Sequence, residues 1–176
     1  AVDGDTVVVG AKYENSRRGA VYVLRTTDGG ATYAQVAKLT ASDAASSDYF
    51  GGSVAIDGNT VVVRATGDDD AGSGSGSAYV FRTSDGGATY AQVAKLTASD
   101  AAAHDYFGYS VAIDGDTIVV ATYLKDAAYI FRTSDGGATY GQVANLTAAD
   151  VASNDCFGCS VAIDGGTIVV GASGDD

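Results

Sequence analysis

Asp68, Asp69 and Asp70 stand side by side in the stretch TGDDDAGSGSGS, which starts at Thr66. Carboxylates ligate hard cations and supply the acid and base of glycoside hydrolysis, so this run is the first place where chemistry could reside. A calcium ion takes about six to eight oxygens from a loop that wraps it. Adjacent Asp without alternating spacers, followed by Gly and Ser, read instead as a solvated, flexible loop. Cys156 and Cys159 form a Cys-x-x-Cys pair, the spacing of dithiol redox centres and of half a zinc site. Redox chemistry wants a helix N-terminus to lower the thiol pKa, and zinc wants two further ligands. Neither fits a pair placed where a strand begins, so two half-buried thiols are expected, with a local disulfide as the alternative. His104 has no partner motif and reads as a loop residue. No cofactor motif emerges.

The elements that would position these groups follow from composition and repetition. The chain has 176 residues, a net charge of -12, 24 Gly and no Pro, Met or Trp, and Glu14 is its only Glu among 22 acidic residues. Asp bonds to its own backbone in turns whereas Glu favours helices, so the chain is expected to be rich in tight turns and poor in helix. The ten basic residues are spread along the sequence, which opposes binding to nucleic acid or to an anionic membrane surface. No window approaches the length of a membrane-spanning helix.

DGGATYAQVAKLTASDAA occurs at residues 28–45 and again at 85–102, and more loosely from Asp135. Phe50, Phe107 and Phe157 lie 57 and 50 residues apart. Between the runs ending at Val9, Val63 and Val120 and the strands beginning at Ala20, Ser77 and Ala127 stand 10, 13 and 6 residues, so insertion is confined to one loop per repeat. Within one repeat, SVAID from Ser53 and TVVVR from Thr60 are β-branched runs flanking a Gly-containing turn; SAYVFRT from Ser77 and ATYAQVAKL from Ala88 complete four strands. Short, evenly spaced strands in fours are the cue for propeller blades, although sandwiches and barrels also space their strands evenly.

Two motifs sharpen this. YFGGSVAIDGNTVVV resembles the FG-GAP repeat of the integrin-type β-propeller: Phe50-Gly51, Phe107-Gly108 and Phe157-Gly158 match its Phe-Gly, and Gly10-Ala11 and Gly171-Ala172 part of its Gly-Ala-Pro. Arg64-Ala65 and Ala121-Thr122 depart from the second half, and the proline is missing throughout. Thr83 to Tyr90, with its copies around Asp28 and Asp135, resembles the Asp-box hairpin between the third and fourth strands of sialidase-like blades, here centred on Asp85. The resemblance implies an all-β β-propeller segment of about three and a half four-stranded blades, with repeats at about 1–48, 49–105, 106–155 and a partial 156–176. It also implies a piece of a longer array whose remaining blades are partners of these.

Sialidase-like catalysis is similar in fold but needs an arginine grip and a Tyr-Glu nucleophile near the propeller axis. Arg25, Arg82 and Arg132 instead recur at third-strand ends, the Glu is lacking, and no enzyme is expected. The calcium loop implied by integrin-type repeats is not carried over, because Asp57-Gly58-Asn59 is too short to wrap an ion, and no metal site is expected. By resemblance the chain is an extracellular or cell-surface module binding a protein or glycan, with a purely structural spacer as the alternative. Asn145-Leu146-Thr147 is a glycosylation sequon.

In such a blade the first-to-second and third-to-fourth connections share one face of the disc. The second-to-third loops and the blade-to-blade linkers share the other. The first set is nearly invariant; the second holds the variation, from Lys12 to Gly19, Asp68 to Gly76 and Tyr123 to Asp126, and through Ser47, His104 and Asn154. Scaffolds display binding sites on variable loops. Asp68, Asp69, Asp70, His104 and Tyr123 are therefore the expected ligand contacts.

Overall fold

The computed structural model describes residues 1–150 and 155–174. Its strands are β1 (Val2–Asp3), β2 (Thr6–Ala11), β3 (Ala20–Arg25) and β4 (Ala34–Leu39) in a first antiparallel sheet, and β5 (Val54–Asp57), β6 (Thr60–Ala65), β7 (Ser77–Arg82) and β8 (Ala91–Leu96) in a second. β9 (Val111–Asp114), β10 (Thr117–Ala121), β11 (Ala128–Arg132) and β12 (Gly141–Leu146) make a third, and β13 (Phe157–Asp164) pairs with β14 (Thr167–Ala172) in a two-stranded fourth. Within each sheet the strands are ordered as in the sequence, the meander of a propeller blade. The only helical element among the described residues is a four-residue turn, Glu14–Arg17.

Strand alternation sends successive side chains to opposite faces of each sheet, and both faces of the inner blades are apolar. Val61, Val63, Tyr79 and Phe81 of the second sheet meet Val8, Val21 and Val23 of the first. Val62 and Val80 on its other face meet Ile118, Val120, Tyr129 and Phe131 of the third. A third core joins Val119 and Ile130 to Val161, Ile168 and Val170. The cores thus lie between blades.

The Phe-Gly motif builds these interfaces. Phe50 and Phe107 are fully buried. Phe50 lies edge-on to Tyr79 and Phe81 at 5.6 and 5.9 Å, and Phe107 to Tyr129 and Phe131 at 5.5 and 6.0 Å. Phe157 is half-buried against the third core. Gly51 then passes the backbone of the preceding blade: its φ is +88°, and a Cβ there would stand 2.6 Å from the Ala20 carbonyl oxygen. Only glycine fits both demands. Gly108 and Gly158 repeat the positive φ.

Polar staples recur at the same interfaces. Asp3 Oδ2 accepts from the Gly58 N–H and Asp57 Oδ2 from the Gly115 N–H, each at 2.7 Å. Gln92 and Gln142 accept from the Ser42 and Ser99 N–H groups at 3.0 and 2.9 Å. The guanidinium of Arg25 reaches over the next blade to the Gly86 carbonyl, and Arg82 likewise to Gly136. Arg25 and Arg82 are interblade clamps.

Each hairpin before the fourth strand closes on an Asp. Asp85 Oδ1 accepts from the N–H groups of Ala88 and Thr89 at 3.0 and 2.9 Å, and Oδ2 from Thr89 Oγ1 at 2.6 Å. Thr83 Oγ1 donates to Asp85 at 2.8 Å and accepts from the Gly87 N–H. Asp28 and Asp135 repeat this bonding with Thr32 and Thr139. These bonds, led by the Thr hydroxyls, hold all three carboxyls well below the usual carboxylate range. Gly86 has φ +71° with open space where a side chain would point. Gly86→Val therefore loses stability through backbone strain alone, about 1–3 kcal/mol. A denaturation midpoint equal to wild type would refute that hairpin geometry.

Candidate binding face

The β2–β3 and β6–β7 loops dock on the linkers that open the next blade, and the β10–β11 loop bonds both to the opening of the next blade, through Asp126 and the Phe157 N–H, and to the linker that opens its own. Tyr49 and Phe50 N–H groups donate to the Arg17 and Arg18 carbonyls at 2.9 and 3.2 Å; Tyr106 and Phe107 donate to Gly74 and Ser75, each at 2.9 Å. His104 N–H donates to Ser73 O at 2.8 Å and Tyr123 N–H to Asp105 O at 3.2 Å. The variable loops and the linkers are therefore one continuous face. Opposite it, the Thr26, Thr83 and Thr133 N–H groups bond to Asp5, Asn59 and Asp116 carbonyls, tying each Asp-centred hairpin to the short turn of its own blade.

On the loop face each third-strand tyrosine meets a carboxylate and an ammonium. Tyr22 donates to Glu14 at 2.6 Å, and Glu14 pairs with Lys38. The Tyr79 hydroxyl is shared between Asp43 and Asp68 at 2.8 and 2.7 Å. Lys95 Nζ lies 2.7, 2.9 and 2.6 Å from Asp43, Asp68 and Asp70. Tyr129 donates to Asp100 at 2.9 Å, and Lys125 pairs with Asp100 and Asp105 at 3.0 and 3.1 Å. The register explains the last exchange. Lys38 and Lys95 stand opposite Tyr22 and Tyr79 on the fourth strands, whereas Asn145 stands opposite Tyr129. Lys125, on the loop, supplies the charge that the strand has lost.

Electrostatics follow from this packing. Burial works against the Lys95 charge, but three carboxylates outweigh it and hold its pKa above the ordinary lysine value. Burial and the Asp100 carboxylate push the Tyr129 hydroxyl up to about 12. Asp43, Asp68 and Asp70 bring carboxylate oxygens within 4.8 Å of one another, so these are the described residues that could hold a cation. The chain's own ammonium stands among them.

Asp68 was expected in a solvated, flexible loop, and the structure corrects this. It is 5% exposed, its carboxylate faces Tyr79 and Lys95, and its carbonyl accepts from the Gly76 N–H at 2.9 Å and Ser75 Oγ at 3.1 Å. A buried carboxylate must be paired, and Tyr79 and Lys95 provide for it. Asp69 and Asp70 are exposed, although Asp69 accepts from the Gly74 N–H at 2.7 Å. His104 is exposed at φ +68°, its ring 6.1 Å from Tyr106. Half-buried Tyr123 stacks on Tyr109 at 4.6 Å, and with Leu124, Asp126 and Cys156 it lines a cavity of about 180 Å³. These residues share a face without converging on one point. Asn154 lies outside the described residues. Cys156 and Cys159 are free and half-buried, and burial raises the Cys159 pKa. Asn145 is exposed on β12.

Sequence reasoning missed Asp43, Asp48, Lys95 and Lys125. The recurrence of Tyr22, Tyr79 and Tyr129 opposite Lys38, Lys95 and Asn145 was the available signal. Asp48 is buried, and burial, joined by the charges of Asp68, Asp43 and Asp69, raises its pKa. A raised folded pKa favours the fold below the ordinary Asp value, and that contribution is lost as pH rises through the folded value. Asp48→Asn keeps an acceptor for the Ala45 N–H and removes the charge. The variant is expected to unfold at a higher temperature than wild type at about pH 7, with the gap closing near about pH 3.5. A variant no more stable at neutral pH would contradict this.

Stacked four-stranded meanders, with a Phe-Gly pair opening each successive blade, define a run of β-propeller blades. The FG-GAP repeat matches residues 33–81, 90–141 and 140–176, and the chain belongs to that family. Each matched unit is offset from a blade, opening at the hairpin or outer strand of one and running into the strands of the next. No curated protein matches the chain. FG-GAP repeats are typical of extracellular proteins, and no described helix is long and apolar enough to cross a membrane.

Proposed function

We propose that the chain is a binding and adhesion module of an extracellular or cell-surface protein, performing no catalysis and docking a protein or glycan on its loop face. One observation carries the reading: the differences in length between the repeats, and most of those in charge, fall on that face. The opposite face repeats Asp28, Asp85 and Asp135 with their polar atoms bonded to their own hairpins. Exposed Asp69 and His104 and the half-buried Tyr123 are offered to the partner on a backbone that the linkers hold in place.

The spacer reading has its own support, since Asp68, the most chemically suggestive residue, is consumed by internal bonds. The two readings separate when the chain is tested against printed oligosaccharides and purified extracellular matrix proteins, alongside Asp69→Asn, His104→Ala and Tyr123→Ala. Binding that falls at least tenfold in these variants, with unchanged unfolding midpoints, is the expected result. Binding that survives them and is lost in Thr27→Ala and Tyr33→Ala, on the opposite face, would overturn the proposal. A wild-type chain that binds none of the probes would favour the spacer.

A further inference from the structure

Of the ten basic residues, five have structural tasks. Lys38, Lys95 and Lys125 neutralise the carboxylates beneath the third-strand tyrosines, and Arg25 and Arg82 clamp neighbouring hairpins. Arg132 stands at the same strand position as those two arginines. Lys12, Arg17, Arg18 and Arg64 remain. Lys12, Arg17 and Arg18 lie between β2 and β3 and Arg64 lies near the loop-face end of β6, and none appears in an ion pair among the described residues. In a chain of net charge -12, four cations on one face without a carboxylate partner are free to take an external counter-charge.

Arg64 is the departure at its repeat position, where the other copies have Gly10, Ala121 and Gly171. It is half-buried, its Nη1 donates to the Tyr109 carbonyl at 2.5 Å, and its Cζ lies 5.3 Å from the Tyr109 ring. Its Nε is buried without a partner. Gly52, where the later copies have Tyr109 and Cys159, makes room: a Cβ at Gly52 would collide with the guanidinium. Gly52 also lines a cavity of about 370 Å³ with Gly51, Lys12, Tyr13 and Glu14. Lys12 Nζ stands 5.0 Å from the Tyr13 ring, which is 68% exposed. Glu14, the one carboxylate of that lining, is committed to Lys38 and Tyr22.

The loop beside the cavity is strained. Asn15, Ser16 and Arg17 have φ of +48°, +58° and +65°, three consecutive non-glycine residues in the left-handed region. The Ser47 and Tyr49 N–H groups bond to the Ser16 and Arg17 carbonyls, and the Arg18 N–H to that of Asn15. Such strain persists only where the surroundings enforce it, and it concentrates at ligand sites.

We infer that Lys12, Arg17, Arg18 and Arg64 bind an acidic oligosaccharide, with uronate carboxylates meeting the cations and a sugar ring lying against Tyr13. The inference rests on the binding reading above and gives that face a ligand class. A saccharide fits better than an acidic peptide, because β2 and β6 are both paired on either side and offer no free edge for strand addition. A long, densely charged polyanion would also meet the exposed carboxylates of Asp69 and Asp70 in the β6–β7 loop and of Asp43 in the linker after β4.

Calorimetric titration of the chain with tetragalacturonate tests this, with maltotetraose and hexaglutamate as comparisons. The uronate is expected to bind, maltotetraose not to, and hexaglutamate to bind at least tenfold more weakly. Arg64→Ala, which installs the third repeat's residue, and the double variant Arg17→Gln/Arg18→Gln should each raise the Kd for the uronate at least tenfold, with unchanged unfolding midpoints. No uronate binding, binding insensitive to the double variant, or hexaglutamate binding as tightly as the uronate would overturn the inference. Failure here, with binding to other probes still lost in His104→Ala and Tyr123→Ala, would leave the module reading standing.

Discussion

Phe107→Ala is expected to lower the free energy of unfolding by about 3–5 kcal/mol. The ring is fully buried between the second and third sheets, edge-on to Tyr129 and Phe131. Its own N–H is bonded to the Ser75 carbonyl at 2.9 Å, so the backbone cannot slide inward to fill the space. Two paired sheets flank the site and collapse poorly onto a void, which places the loss near the upper part of the range for aromatic truncation. Chemical denaturation of the variant measures it. A loss below about 1 kcal/mol would mean that the ring does not join the blades.

Lys95→Met is expected to cost about 3 kcal/mol at neutral pH. Its ammonium is the cation facing Asp43, Asp68 and Asp70, and Asp68 is buried. Removing one partner of a buried pair leaves the other charged without compensation, and that penalty exceeds the gain from the apolar replacement. The sign with pH follows from Asp43. Burial pushes its pKa up, but bonds from Lys95 and Tyr79 outweigh this and set it below the ordinary value. A lowered folded pKa contributes stability above the unfolded value and loses it as pH falls through the folded one. The gap between wild type and variant should therefore be largest at neutral pH and shrink in acid. A gap independent of pH, or none at pH 7, would contradict the pairing.

The repeats and their turns were legible in the sequence because each is a local signal. Phe50 and Phe107 announced the blades through their spacing, and Asp85 with Thr89 announced a hairpin through contacts four residues apart. Charge pairing across the fold was not legible. Asp68 looked solvated because its neighbours are Asp, Gly and Ser, whereas its environment is set by Tyr79 across a sheet and Lys95 one strand further out. Arg25 was placed only at a third-strand end, yet it bonds to Gly86 on the next blade, 61 residues away. Such partners become visible only when strand register and blade stacking are combined.

The division of labour between the two faces can be read from tyrosines placed on both. Tyr13 and Tyr123 lie on the loop face, and Tyr33, Tyr90 and Tyr140 follow the Asp-centred hairpins on the other. Hydroxyl-radical footprinting of the chain, free and with a bound partner, reports each ring separately by mass spectrometry. Lower oxidation of Tyr13, Tyr123 and His104 is expected on binding, with Tyr33, Tyr90 and Tyr140 unchanged. Protection of Tyr33, Tyr90 and Tyr140, with Tyr13 and Tyr123 unaffected, would contradict it.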